Sequence, residues 1–375
     1  MSKILKFILS LFILYIISIK NSWAKTLNVE NCKSCIDINV TDSNEYWNVH
    51  NSYIGQTIIS LNIKKDLIKI GGLYASYDNN RGNTITNNYV GSFNSISSIE
   101  NNNTNKLYEL YYYNTYKNIF FKVGKFDLQS DFGSDESFSY FINTSSTSSS
   151  IFSNNTYEMS NYGPVSSLGI YSEFNIFHNI LLKAAIVSDN PFKVNTDIST
   201  SKNDIYGNTF KIESPLFLLQ LDMVYGNKNK TYISIGGFYD LGKQSITYSN
   251  NIHKTNASFY ISITKDLFYT KKYNLQFMVR YMNDPYTSRS VISSTFDTGL
   301  LYTSNKNIIG IIFGYEKGDK NLFVNKSKLE YRFELTYRYN ITDNFFIQPD
   351  IQYIFNLSGT SKNMFLIGIR ETLNY

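Results

Sequence analysis

Between Leu329 and Tyr339 every second residue is apolar or aromatic: Leu329, Tyr331, Phe333, Leu335, Tyr337 and Tyr339. The residues between them are Glu330, Arg332, Glu334, Thr336 and Arg338. A helix brings i and i+4 together and cannot use this period; an extended strand sorts the two sets onto opposite faces. Charge on the inner face of a soluble sandwich would be buried and costly. Charge facing a water-filled lumen, with Tyr and Phe turned to lipid, avoids that cost. The pattern predicts a strand of a transmembrane β-barrel.

The same texture recurs along the chain. Segments of about ten residues alternate with turns rich in Asn, Gly, Asp, Ser and Lys. Candidate strands are Ile54–Ile63, Leu67–Tyr77, Lys106–Tyr116, Ile119–Leu128, Leu168–Phe174, Asn179–Val187, Leu216–Tyr225 and Thr231–Leu241. They continue with Asn256–Asp266, Tyr273–Met282, Ser294–Ser304, Asn307–Tyr315, Lys328–Asn340, Phe345–Phe355 and Met364–Tyr375. Bacterial barrels have even strand counts, and about fifteen segments call for one more. Tyr89–Ile99 or Asp204–Ile212 could supply it. The expected fold is an all-β, antiparallel transmembrane barrel of about 16 strands.

Connections alternate in length, as in barrels with short turns on one rim and long loops on the other. Short ones fall at Lys117-Asn118, Asn175–His178, Asn227–Lys230, Asn305-Lys306 and Thr342–Asn344; long ones lie near Asn79–Asn105, Gln129–Ser167, Asp189–Asn208 and Gly242–Thr255. The longest, Gln129–Ser167, carries the tract Thr144–Ser150 and the acidic group Asp131, Asp135 and Glu136. It reads either as a mobile surface loop or as a loop folded into the barrel to narrow it.

The N-terminus bears on location. Lys3 and Lys6 precede an apolar run from Phe7 to about Ile19, then Ser22-Trp23-Ala24. This is the pattern of a secretory signal peptide cut between Ala24 and Lys25. A membrane anchor would need a run of ~18–20 apolar residues. The chain divides into a signal peptide (1–24), a short N-terminal periplasmic segment (25–52) and the barrel (53–375). The segment 25–52 holds both cysteines, Cys32 and Cys35, and export implies an oxidising compartment. A local disulfide is the simpler reading and a crosslink between subunits the other. With 3 scattered histidines, a four-ligand zinc site is not expected.

Composition agrees with a barrel. The 32 Tyr and 27 Phe suit strands and interfacial girdles, and the 5 Pro suit a chain of paired strands. The net charge of +5 comes from dispersed lysines, with no basic block to bind nucleic acid. No Gly-x-Ser-x-Gly elbow, His-Glu-x-x-His pair or Gly-rich phosphate loop is present, so neither catalysis nor a cofactor is expected.

In the last strand Phe365, Ile367, Ile369, Leu373 and the terminal Tyr375 share a face that Glu371 interrupts. This resembles the C-terminal signature by which barrel-assembly machinery recognises outer-membrane proteins. Several blocks together resemble the carbohydrate-selective porin family of OprB type. They are Leu107–Tyr112, Val123–Asp127, Asp131-Phe132, Phe141–Asn143, Val165–Gly169, Gln348–Tyr353 and Gly368–Arg370, in the family's order. The resemblance implies a sixteen-stranded porin in the outer membrane of a Gram-negative bacterium, passing small sugars and other hydrophilic solutes by diffusion. It also leaves a homotrimer open. The rival readings are a general porin and a surface adhesin barrel without sugar selectivity.

On strand alternation, the lumen-facing candidates are Glu109, Tyr111, Tyr113, Lys122, Arg280, Glu330, Arg332, Glu334, Arg338, Asp350, Gln352 and Arg370; Asp131 joins them from the long loop. A lipid-facing Arg or Lys would cost roughly 2–4 kcal/mol at mid-membrane. Glu330, Arg332 and Glu334 alternate in sign, which suits a cross-strand salt-bridge network that stiffens the wall. Lys122 and Glu109 lie on adjacent strands beside the long loop, the place for an eyelet.

Overall fold

The structure, a computed structural model, describes residues 34–65, 71–101, 103–133, 135–148, 166–189, 210, 212, 214–245, 252–286, 290–318 and 329–375. Among the described residues sixteen strands form one closed barrel. The first eight are β1 (Ser34–Trp47), β2 (Ser52–Lys65), β3 (Gly72–Gly82), β4 (Thr104–Tyr116), β5 (Ile119–Phe126), β6 (Ser167–Phe177), β7 (Ile180–Ser188) and β8 (Pro215–Tyr225). The rest are β9 (Thr231–Ser245), β10 (Ile252–Tyr269), β11 (Tyr273–Asn283), β12 (Ile292–Ser304), β13 (Asn307–Gly318), β14 (Leu329–Asn340), β15 (Phe345–Phe355) and β16 (Met364–Asn374). Each pairs antiparallel with its chain neighbours, and β1 pairs with β16 to close the ring. No helix of the described residues is long and apolar enough to cross a membrane; the crossing belongs to the strands.

The fifteen strands expected from alternation correspond to β2 through β16. The sixteenth is β1, which lies within the stretch assigned above to a periplasmic segment, so that boundary moves. β1 pairs with β2 from Ser34↔Lys65 to Trp47↔Ser52 and belongs to the wall. Tyr89–Ile99 is not a strand; it runs inside the barrel. Asp204–Ile212 lies largely outside the described residues, as do the signal peptide and Cys32; Cys35 falls in β1.

Short turns gather on one rim, at 117–118, 178–179, 226–230, 270–272, 305–306 and 341–344. The C-terminal residue meets β1 there too: the Tyr375 N–H donates to the Val40 carbonyl at 2.8 Å. The outer face is apolar, with Ile170, Ile186, Leu219, Phe259, Phe313 and Ile367 all exposed.

The inner face is not uniformly polar, because two connections from the opposite rim fold against it. The β3–β4 connection packs Ile85, Val90, Ile96 and Ile99 on Trp47, Ile54, Ile354 and Leu366. The β5–β6 connection places Phe132 with Tyr171, Val187, Leu216, Leu218 and Tyr260. Farther along, it seats Phe138 and Phe141 against Met278, Leu301, Ile308 and Ile312. Each aromatic ring so removed from water contributes roughly 1.5–3 kcal/mol. This explains strands such as β8, where Leu216 and Leu218 point inward and Phe217 and Leu219 outward: one face meets a loop, the other lipid.

A constriction inside the barrel

The inner wall of β11 to β14 carries a chain of buried charges. Arg280 pairs with Asp297 at 2.9 Å, and Asp297 with Arg332 at 2.7 Å. Arg332 also reaches Glu316 at 3.0 Å. Asp297 (β12) and Arg332 (β14) are two strands apart, and Gly314 of β13 stands between them in register. A Cβ on Gly314 would sit 2.3 Å from the Asp297 carboxylate, so the missing side chain is what lets the pair close. Gly310 does the same for the loop, since its Cβ would meet the Phe141 ring at 2.7 Å.

The loops are fastened to this wall by hydrogen bonds. The backbone N–H groups of Ile142 and Asn143 donate to Glu334 at 2.6 and 3.1 Å, and Ser146 adds its hydroxyl. Arg280 donates to the Ser145 carbonyl at 2.6 Å, and Gln348 to the Tyr140 carbonyl at 2.8 Å. The Phe93 and Ser358 N–H groups donate to Glu330, and Asn94 donates to Glu316. Gln352 donates to the Ile96 carbonyl at 2.9 Å and beside it to Asp350. Six candidates, Arg280, Glu330, Arg332, Glu334, Asp350 and Gln352, are thus buried beneath the loops. Arg370 pairs with Glu45 at 2.6 Å across the β16–β1 closure, and Arg338 lies 3.5 Å over the Phe346 ring near the short-turn rim.

A different surface faces them. On β5, Lys122 pairs with Asp131 of the inward loop at 2.6 Å. Lys183 of β7 pairs with Asp222 at 3.0 Å and donates to the Asp131 carbonyl at 3.2 Å. Glu109 accepts from the Asp127 N–H at 3.0 Å. Beside this row runs an aromatic lane. Tyr74 and Tyr111 stack at 4.9 Å between centroids; Tyr111–Tyr113, Tyr113–Phe120 and Phe120–Tyr171 follow at 6.3, 6.2 and 6.4 Å. Tyr74, Tyr111, Tyr113 and Phe120 are half-buried, with part of each ring toward the lumen. The Lys122 ammonium sits 4.8 Å from the Tyr171 centroid and 5.2 Å from that of Tyr111. Toward the short-turn rim a cavity of 390 Å³ opens between the loop residues Asp135, Glu136 and Tyr140 and the wall residues Asp222, Ser234 and Gln276.

Burial in the loop moves carboxyls upward. Asp131 rises to about 6 because burial outweighs the ammonium of Lys122. Glu100 rises to about 7, also by burial, although it accepts from the Thr86 N–H and hydroxyl at 2.7 and 2.6 Å.

The alternation rule missed Asp297, Glu316, Lys183, Asp222, Tyr74, Phe120 and Tyr171. All lie on inner faces, and the signal was present at Lys183 and Asp222, where a charge breaks an apolar stretch.

Sequence comparison agrees with this geometry. The description "carbohydrate-selective porin, OprB family" matches residues 60–375. The chain belongs to that family. No protein of curated function matches it. The fold is shared with OprB of Pseudomonas putida: its high-pH structure superposes with a TM-score of 0.78 at 14% identity, covering 91% of this chain and 94% of that one. The low-pH structure of the same protein gives 0.56 at 13% identity over 91% and 92%. The outer membrane channel DcaP of Acinetobacter baumannii gives 0.53 at 10% identity over 91% and 97%. As a member of the family the chain is a porin channel of the outer membrane.

Proposed function

We propose that this porin selects small uncharged sugars at the Lys122–Asp131 constriction, with the lane Tyr74–Tyr111–Tyr113–Phe120 as the surface along which they pass. The observation that carries the reading is the row of partly exposed rings beside paired charges of both signs. Ring faces suit the apolar faces of a pyranose; paired charges offer donors and acceptors to its hydroxyls without attracting a net ion. Of the candidates, Glu109, Tyr111, Tyr113, Lys122 and Asp131 act on the solute. Arg280, Glu330, Arg332, Glu334, Asp350 and Gln352 hold the loops that set the width, and Arg338 and Arg370 stand at the margins. In this reading residues 1–24 direct export and are removed, the barrel-assembly machinery inserts the mature chain, and copies assemble as a homotrimer.

The test is single-channel conductance of the refolded mature chain in a planar bilayer, with and without glucose or a maltooligosaccharide. A steady channel blocked by sugar in a concentration-dependent way is expected. Tyr111→Ala should weaken the block about 2- to 10-fold, the worth of roughly 0.5–1.5 kcal/mol per ring contact. A channel indifferent to sugar would make the protein a general porin. A folded barrel without a channel would favour the adhesin reading.

A further inference from the structure

The acidic group of the β5–β6 connection does not end with Asp131. Asp135 and Glu136 of the same connection line the 390 Å³ cavity toward the short-turn rim, together with Asp222 of β8. Asp135 is held by the Thr264 hydroxyl, which donates to it at 2.7 Å; Glu136 is exposed. Behind the lining amides of Asn274 and Gln276 lies a fourth carboxylate, the buried Asp266 of β10, which accepts from both at 2.9 Å. Among the described residues the only ammonium paired with any of the four is that of Lys183, on Asp222 at 3.0 Å. Four carboxylates against one ammonium leave an excess of three negative charges. At the constriction, by contrast, Lys122 balances Asp131. A cleft lined by one sign of charge concentrates its field on whatever enters. Among the described residues no group of three acidic or imidazole side chains could hold a metal ion. The charge is spread around a space that a molecule fills, not gathered about a bare cation. The half-buried Tyr140 and Tyr232 add ring faces to the same walls. The Asn274 Oδ1 is a buried acceptor with no hydrogen-bond partner among the described residues.

We propose that this cavity is a second solute site, specific for amino sugars in their protonated form. The ammonium sits against Glu136 and Asp135, where the walls leave negative charge unbalanced. The sugar ring lies on Tyr140 or Tyr232, whose faces suit both a pyranose and a cation. The ammonium and the hydroxyls bring the donors that the carboxylates and Asn274 lack. A neutral sugar has only the ring contact and the hydroxyls, and a sugar phosphate is repelled. The constriction asks for a sugar; the cavity asks for a positive charge on it. The inference deepens the channel reading and rests on it, since the solute arrives through the lumen.

Isothermal titration calorimetry of the refolded mature barrel in detergent, at neutral pH and low salt, tests it. The probes are glucosamine and, as its uncharged counterpart, N-acetylglucosamine. Glucosamine is expected to bind at least about 5-fold more tightly, the effect of one close charge pair in a watery cleft. Glu136→Gln should remove most of that preference, and Glu136→Gln with Asp135→Asn all of it. Both changes keep the side chain's shape, and Glu136 pairs with no other described residue, so the barrel should still fold. Equal binding of the two sugars by the wild-type chain, or a preference that survives the double change, would overturn the proposal. Sugar block of the channel, read on the same protein, separates the two readings. A preference for glucosamine without any block by glucose sinks the constriction as a sugar filter and leaves the cavity standing. Block by glucose without a preference for glucosamine sinks the cavity alone.

Discussion

Asp131 of the inward loop faces Lys122 of β5 at 2.6 Å, and its carboxyl is shifted into a range that ordinary buffers cross. Burial keeps its pKa near 6, above the ordinary carboxylate value, so the folded state binds this proton more tightly than the unfolded chain does. The folded state therefore gains stability as pH falls through about 6 and loses that gain as pH rises. Charge at the constriction changes over the same window. Above it Lys122 is neutralised by Asp131; below it the ammonium stands alone. Reversal potentials under a salt gradient should shift toward anions between pH 7 and pH 5. Asp131→Asn should show the anion preference at both pH values, without the step. A wild-type preference that does not move with pH would remove Asp131 from the constriction.

At the scale of elements, strands were legible and their exceptions were physical. β14 announced itself because its outward residues are apolar or aromatic and its inward face is charged at every position from Glu330 to Arg338 except Thr336. β1 did not, because its alternation is interrupted at Asp42 and Asn44, where the outward face does not have the apolar character lipid demands. Tyr89–Ile99 imitated a strand because Val90, Ile96 and Ile99 are apolar for another reason: they pack on the inner wall. The charged candidates of β14 and β15 were legible as inward residues but not as loop anchors, since a loop's landing place depends on contacts more than a hundred residues apart. Glu334 is the most telling anchor. Glu334→Ala would leave the Ile142 and Asn143 N–H groups and the Ser146 hydroxyl without their acceptor, at about 1–3 kcal/mol for each group left unsatisfied. The loop should detach, with larger and noisier single-channel currents. Unchanged current in a folded Glu334→Ala barrel would show that the loop does not set the width.

At the scale of the molecule, closure depends on the strand that was hardest to read. β1 supplies both the Thr41↔Asn374 to Trp47↔Gly368 ladder with β16 and the fourteen-residue ladder with β2. Removing residues 34–47 would leave fifteen strands and two unpaired edges, which hydrocarbon does not tolerate. The truncated chain should fail to give the compact, heat-modifiable band of a folded barrel on an unheated gel. A folded fifteen-stranded product would show that β2 and β16 can pair directly.

The inward loops have a consequence for how such a chain can change over generations. The contacts that narrow the passage are also the protein's interior packing: Phe138, Phe141 and Ile142 are fully buried, and Glu334 and Arg332 serve them and the wall together. Width and fold stability are therefore not separate traits here. A lineage favouring faster uptake through a wider opening would have to loosen its own interior first. Compensating substitutions elsewhere in the wall should accompany any such widening.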